Sequence, residues 1–127
     1  MRAFKRKNRD VHLTRAEALT CTPVKNTRVG EARLETGEVL LTYPVRIRPW
    51  IANLIRRFGW GIKRVQSKKL HLDELGTAAW DLMDGRRSVR QIIQRFAKRY
   101  QLHPKEAEVA VTRFLRELGK RGLIGLK

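Results

Sequence analysis

The sequence has little of what disulfide-bonded, metal-binding or membrane-spanning proteins require. Its 127 residues include a single cysteine, Cys21, which excludes an internal disulfide and a site with several thiolate ligands. No apolar run approaches the roughly 18 residues that span a bilayer. The basic segment Met1–Asp10 is not followed by the apolar stretch of a secretory signal. These absences favour a soluble protein, which we expect in the cytoplasm.

The motifs of the common enzyme classes are missing as well. His12, His71 and His103 are far apart and do not have the spacing of a zinc site. The 9 glycines do not fall into the spacing of a phosphate-binding loop. Neither Ser67 nor Ser88 lies in a nucleophile elbow. We therefore predict a protein that is not an enzyme and that uses no metal ion and no cofactor.

Positive charge is what the sequence has in excess. The 29 Lys and Arg residues against 12 Asp and Glu give a formal net charge of +17. Residues 1–69 have 17 basic and 5 acidic side chains, whereas residues 70–127 have 12 and 7. A charge of this size attracts nucleic acid, anionic lipid or an acidic polypeptide, and it does not choose among them.

Apolar residues at helical spacing predict three helices after residue 72. The first follows Asp73, a suitable N-cap, and ends at Asp84-Gly85. The second begins after Ser88, has Gln91 as its capping-box partner, and ends near Gln101. The third begins at Pro104 and runs to about Arg121. The apolar side of the first helix consists of Leu75, Ala78, Ala79, Leu82 and Met83.

The third predicted helix has two different sides. Its core side consists of Ala107, Ala110, Val111, Phe114, Leu115 and Leu118. Its opposite side, here called the cationic stripe, consists of Val109, Thr112, Arg113, Arg116 and Lys120. A cationic stripe with one apolar residue suits an acidic, partly apolar segment, but an ordinary solvated helix side has the same composition. Both interpretations stay open at this point.

The first half of the chain predicts short strands rather than helices. Residues 1–22 are basic without a sustained period, so we expect a flexible N-terminal arm followed by one domain over residues 23–127. Strands are predicted at Arg28–Leu34, Glu38–Tyr43 and Ser67–Leu72, with a turn at Gly37 between the first two. A short closing strand is expected from Leu123, Ile124 and Leu126.

An insertion, residues 44–66, separates the second and third strands. It contains a predicted basic amphipathic helix that begins at Pro49. The apolar side of this helix consists of Trp50, Ile51, Leu54, Ile55 and Phe58. Such a segment lies at an anionic membrane surface in some proteins and packs on its own domain or on a second copy in others. Attachment to the inner membrane surface and a homodimer are therefore both open.

One stretch of the sequence resembles the PqqD family. It runs from Lys69 to Val89 (KLHLDELGTAAWDLMDGRRSV) and is followed by the paired Ile92-Ile93, by Phe96 and by Arg121–Ile124. The resemblance extends over residues 65–127 and, loosely, 23–43. It implies an α+β fold similar to a winged helix-turn-helix, with three short antiparallel strands followed by three helices. The inserted amphipathic helix between strands two and three departs from the compact form of the family.

The resemblance also implies a function. Members of the family bind the leader of a ribosomally made precursor peptide and present it to a modifying enzyme, often a radical S-adenosylmethionine protein. The leader adds as a strand beside the third strand and lies against the third helix. By position, the strand residues are Ser67, Lys68, Lys69, Leu70 and His71, and the helix residues are those of the cationic stripe. A cationic site favours an acidic leader.

Two alternative functions would also be consistent with the large positive charge. A winged-helix DNA-binding protein contacts bases with the N-terminal end of its recognition helix. Because this end would present Glu106 and Glu108, nucleic acid is the less favoured partner. The other alternative is an adaptor at the membrane surface that uses the inserted helix.

Overall fold

The computed structural model describes residues 13–44, 57 and 67–127. In chain order, the elements are α1 (Arg15–Thr20), β1 (Pro23–Lys25), β2 (Gly30–Arg33), β3 (Val39–Pro44), β4 (Ser67–His71), α2 (Glu74–Leu82), α3 (Val89–Tyr100), α4 (Pro104–Lys120) and β5 (Ile124–Leu126). The architecture is α+β, as predicted, and it has two small antiparallel sheets. The described residues before Thr27 and after Asp73 form one compact unit, the helical unit. The described residues from Thr27 to Asp73 form the other, the sheet unit.

The three long helices begin where the sequence signals place them. At the start of α3, the Ser88 hydroxyl accepts from the Gln91 N–H at 3.2 Å, and the Gln91 side chain accepts from the Ser88 N–H at 2.9 Å. At the start of α4, the Glu106 side chain accepts from the His103 N–H at 3.0 Å, and His103 Nδ1 accepts from the Lys105 N–H at 3.0 Å. These bonds satisfy N–H groups that a first helical turn leaves without partners.

The core of the helical unit is apolar and includes the fully buried side chains of Trp80, Ile92 and Leu118. Two core predictions are wrong. Leu75, in the first turn of α2, is 48% exposed, and Ala110 is exposed on α4. Helical periodicity identifies a side of a helix, but it does not determine how far along that side other elements extend. Leu82 and Phe114 are half-buried for the same reason.

Residues 13–22 differ from the flexible arm that the sequence predicted. They include α1, whose Thr14–Glu17 capping box is complete and whose Leu19 is buried. This helix packs against α3, and the Val89 N–H donates to the Cys21 carbonyl at 2.8 Å. A six-residue helix is shorter than the window of about 11 residues in which a period can be recognised. Residues 1–12 lie outside the described part of the chain.

Strand β1 of the helical unit was not predicted from the sequence. The predicted closing strand exists as β5, and its antiparallel partner is β1. Thr22 and Lys127 exchange N–H···O bonds of 2.9 and 3.0 Å beside this pair. A strand of three residues contains too few positions for alternation to be visible.

The sheet unit has the strand order β2-β3-β4, and its strands lie within the three predicted segments except that β3 extends one residue further, to Pro44. The turn between β2 and β3 is closed by the Leu34 N–H to Glu38 carbonyl bond of 2.8 Å. Gly37 has φ +91° in this turn, which a residue with a Cβ adopts only with strain. The predicted helix with Trp50, Ile51, Leu54, Ile55 and Phe58 lies outside the described residues.

Candidate functional site

β4 lies at an edge of its sheet. One side of the strand pairs with β3, in a register that sets Lys69 opposite Thr42 and Lys68 opposite Tyr43. No described strand pairs with its other side, here called the open side. Leu70 is half-buried, and the other residues of β4 are exposed. An edge of this kind is accessible to an additional strand.

The ladder also determines which backbone groups face the open side. The Leu72 N–H donates to the Val39 carbonyl at 2.8 Å, so Leu72 forms a hydrogen-bonded pair with β3. Hydrogen-bonded and non-hydrogen-bonded pairs alternate in an antiparallel ladder. Leu70 and Lys68 therefore direct their backbone groups toward β3. The residues that direct their N–H and C=O groups to the open side are Ser67, Lys69 and His71.

The two faces of this sheet differ in chemical character. Side chains opposite one another across a ladder share a face, and successive residues alternate between faces. The apolar face contains the buried Val39, Leu41, Tyr43 and Leu72 and the half-buried Leu70, with the exposed Lys68 at its end. The polar face contains the exposed side chains of Ser67, Lys69 and His71 together with Thr42 and the half-buried Leu40.

His71 has an acidic neighbour on the polar face. Its Nε2 atom lies 2.7 Å from Oε1 of Glu38, and the two side chains are 54% and 28% exposed. The contact partly balances His71 whenever the imidazole is charged. Sequence reasoning missed Glu38, because only the pairing of β3 with β4 brings the two residues together. Lys69 makes no ion pair with a described residue.

The cationic stripe predicted on the third helix lies on α4. Val109 is 54% exposed, and Arg113, Arg116 and Lys120 are exposed as well. Neither Arg113 nor Arg116 forms an ion pair with a described residue, so both guanidinium groups are available to a ligand. Lys120 lies 3.8 Å from a carboxylate oxygen of Glu117.

Thr112 differs from the cations of the stripe because its polar group makes a short hydrogen bond within the helix. Its hydroxyl donates to the Glu108 carbonyl of the same helix at 2.7 Å, and the residue is half-buried. The hydroxyl therefore has a partner within α4 in the free protein. We expect Thr112 to contribute shape rather than a hydrogen bond to a ligand.

The acidic start of α4 is neutralised by an arginine that sequence reasoning missed. The Nε and Nη2 atoms of Arg15, on α1, donate to the two carboxylate oxygens of Glu108 at 2.7 and 2.8 Å. These hydrogen bonds and the positive charge lower the pKa of the Glu108 carboxyl. The two residues are 93 positions apart, so no local pattern could have indicated the pair.

Other functional features are few in the described part of the chain. It contains no cluster of three His, Cys, Asp or Glu side chains placed to hold a metal ion. Among its helices, none combines the length and the apolar character that a membrane crossing demands. The strand residues of the candidate site lie in the sheet unit, and the cationic stripe lies in the helical unit.

Comparison with known protein families finds a match to this part of the chain. The open-edged strand and the helices that follow it lie in a segment matched by the sequence model of the PqqD family, described as coenzyme PQQ synthesis protein D, over residues 63–124. Residues 63–124 thus match the PqqD family model, which confirms the resemblance seen in the sequence. Searches among curated proteins and among solved structures returned no match.

Proposed function

We propose that the protein binds the leader of a ribosomally made precursor peptide and presents it to a separate modifying enzyme. The PqqD family consists of non-catalytic accessory proteins that bind peptides, and residues 63–124 match it. The observation that carries the proposal is the open side of β4, toward which Ser67, Lys69 and His71 direct their backbone groups. A leader that adds there extends the sheet by one strand.

Strand addition suits a carrier that must later release its cargo. Each of the three outward residues has one N–H and one C=O for the incoming backbone. A backbone hydrogen bond contributes about 1 kcal/mol net, and ordering a flexible peptide opposes this gain. The resulting affinity is moderate and depends little on the leader sequence. The core of the precursor stays outside the site and is accessible to the enzyme.

The two faces of the sheet favour a particular pattern in the leader. Residues of the added strand beside Leu70 share the apolar face, whereas their neighbours share the polar face with Lys69 and His71. Apolar side chains suit the leader positions on the face of Leu70, and acidic side chains suit the positions on the face of Lys69 and His71. We therefore expect a leader segment in which apolar and acidic residues alternate.

The cationic stripe on α4 supports the same preference for acidic leaders. Arg113 and Arg116 are exposed and have no described ion-pair partner, so an acidic segment gains from both without displacing an internal contact. Val109 adds an exposed apolar group to the stripe. Opposite charge also speeds the encounter between the protein and a flexible chain. The modifying enzyme that fits a carrier of this family is of the radical S-adenosylmethionine type, in the cytoplasm.

Reversing the stripe's charge tests the proposal. In the double variant Arg113→Glu and Arg116→Glu, binding of a synthetic peptide with alternating Glu and Leu should weaken by about tenfold or more, because two attractive contacts become repulsive. Fluorescence anisotropy of the labelled peptide measures the Kd. The matched control is Arg95→Glu and Arg99→Glu on α3, which makes the same charge change outside the site. Equal affinity of both variants for the peptide would contradict the proposal.

A further inference from the structure

The segment around α3 has a charge pattern that peptide binding does not use. Residues 85–105 contain seven basic residues and no acidic residue. The buried side of α3 consists of Val89, Ile92, Ile93 and Phe96. The exposed side, here called the α3 basic side, consists of Arg90, Gln91, Gln94, Arg95, Lys98 and Arg99. Four cationic and two uncharged amide side chains therefore cover the solvent side of a single helix.

The cations of the α3 basic side have no ion-pair partner among the described residues, although Arg90 adds to the positive charge that lowers the pKa of Glu108. Arg90, Arg95, Lys98 and Arg99 make no ion pair there. The acidic residues that flank the segment are engaged elsewhere: Asp84 accepts from the backbone N–H groups of Arg86 and Arg87 at 2.9 and 2.8 Å. Glu108 is held by Arg15 through both of its oxygens. Four positive charges are thus left to an external partner.

The composition of this side discriminates among acidic partners. It has no exposed apolar or aromatic side chain, whereas protein interfaces have an apolar core and are depleted in Lys. An amphipathic helix that lies on a membrane also requires apolar groups, and single-stranded nucleic acid requires aromatic side chains for base stacking. Interfaces with duplex nucleic acid are polar and strongly positive, and Arg, Lys and Gln contact their phosphates.

We propose that the α3 basic side binds the phosphate backbone of double-stranded nucleic acid without sequence preference. Arg90 and Lys98 are separated by about 12 Å along the helix axis at 1.5 Å per residue, a length over which several phosphates are within reach. This mode differs from recognition by a winged helix, because it uses α3 instead of α4 and reads no bases. It rests on side chains of the helical unit alone and does not depend on the proposed peptide site.

Counterion release gives the proposal a quantitative test. A protein that neutralises four phosphates changes log K with log salt concentration by a slope of about −3.6 on duplex DNA. The variant with Arg90→Gln, Arg95→Gln, Lys98→Gln and Arg99→Gln should therefore have a salt slope smaller by 3 to 4 units. Its affinity for a mixed-sequence duplex of about 20 base pairs should fall at least about tenfold at 100 mM salt.

The matched control removes the same charge from the neighbouring helix. It combines Arg113→Gln, Arg116→Gln, Lys120→Gln and Arg121→Gln, and it should keep most of the salt slope because the α3 basic side is intact. Equal losses in both variants would show that only net charge matters and would overturn the proposal. The same conclusion would follow if the α3 variant lost binding to polyglutamate or to anionic vesicles as strongly as to the duplex.

Two further measurements distinguish a loss of duplex binding from misfolding and from a loss of peptide binding. Gln retains most of the helix propensity of Arg, so circular dichroism and Tm of the α3 variant should match the parent. Should the quadruple variant fold poorly, the pair Arg95→Gln and Lys98→Gln should still reduce the slope by about 2, and an unchanged slope would overturn the proposal. Binding of the Glu-Leu peptide should persist in all α3 variants.

Discussion

At the scale of single residues, one backbone conformation stands out. Gln101, after the last turn of α3, has φ 53° and ψ 48°, and its N–H donates to the Ala97 carbonyl. The other positive-φ residues of the described chain are Gly37, Gly85 and Gly122. The sequence predicted a helix end near this position, but nothing in its pattern indicated that glutamine would adopt a left-handed conformation.

Replacing Gln101 by Gly should stabilise the protein. A left-handed residue with a Cβ costs about 1–2 kcal/mol, whereas Gly loses about 0.4–1 kcal/mol through its more flexible unfolded chain. The free energy of unfolding should therefore rise by about 0.5–1 kcal/mol, which urea denaturation measures. Gln101→Ala is the control and should bring no gain, since it retains the Cβ. A lower unfolding midpoint for the Gly variant would contradict this account.

The Arg15–Glu108 pair predicts an acid dependence of stability. Hydrogen bonds and charge from Arg15 lower the folded-state pKa of Glu108. The stabilisation is therefore complete above the unfolded value of about 4.3 and is lost as the pH falls through the lowered pKa. Glu108→Gln should flatten the decrease of Tm below about pH 4.3. At neutral pH its effect should be small, because solvent screens an exposed pair.

Glu117→Gln is the control for this titration. Glu117 is half-exposed and lies 3.8 Å from Lys120, a longer contact than the two bonds of Glu108. This variant should keep the acid dependence of the parent protein. If Glu108→Gln gave the same dependence of Tm on pH as the parent, the Arg15–Glu108 ion pair would not contribute to stability, and the prediction would be wrong.

At the scale of elements, the long helices could be predicted from the sequence and the shortest elements could not. The long amphipathic helices and the hairpin around Gly37 could be predicted, because they contain repeated periods or a turn that requires glycine. The short elements α1 and β1 could not, since each is defined by contacts with distant residues such as Val89 and Lys127. The family resemblance placed the candidate site on β4, but only the ladder determines which of its backbone groups face outward.

A proline at position 69 tests the open side of β4. The Lys69 N–H points away from β3, so Lys69→Pro removes a donor of the open side without removing a ladder bond, a position at which an edge strand tolerates proline. Binding of the Glu-Leu peptide should weaken about fivefold to tenfold, while Tm stays near that of the parent. Lys69→Ala loses the same side chain but keeps the N–H, and it should bind more tightly than the proline variant. Equal affinities would contradict strand addition at this residue.

At the scale of the whole molecule, the charge of +17 is divided among surfaces with different surroundings. The cationic stripe of α4 contains one exposed apolar residue, Val109, whereas the α3 basic side contains none. This difference is the reason why we propose a peptide for one surface and a duplex for the other. Total charge could not make that distinction, because it depends on which side of each helix the core covers.

Amide hydrogen exchange, followed residue by residue by NMR, tests the central claim most directly. In the free protein, the N–H groups of Lys68 and Leu70 are bonded to β3 and should exchange slowly, whereas those of Lys69 and His71 should exchange fast. On addition of the Glu-Leu peptide at saturation, exchange at Lys69 and His71 should slow markedly and that at Lys68 and Leu70 should change little. Saturated binding that leaves the Lys69 and His71 amides unprotected would contradict the account.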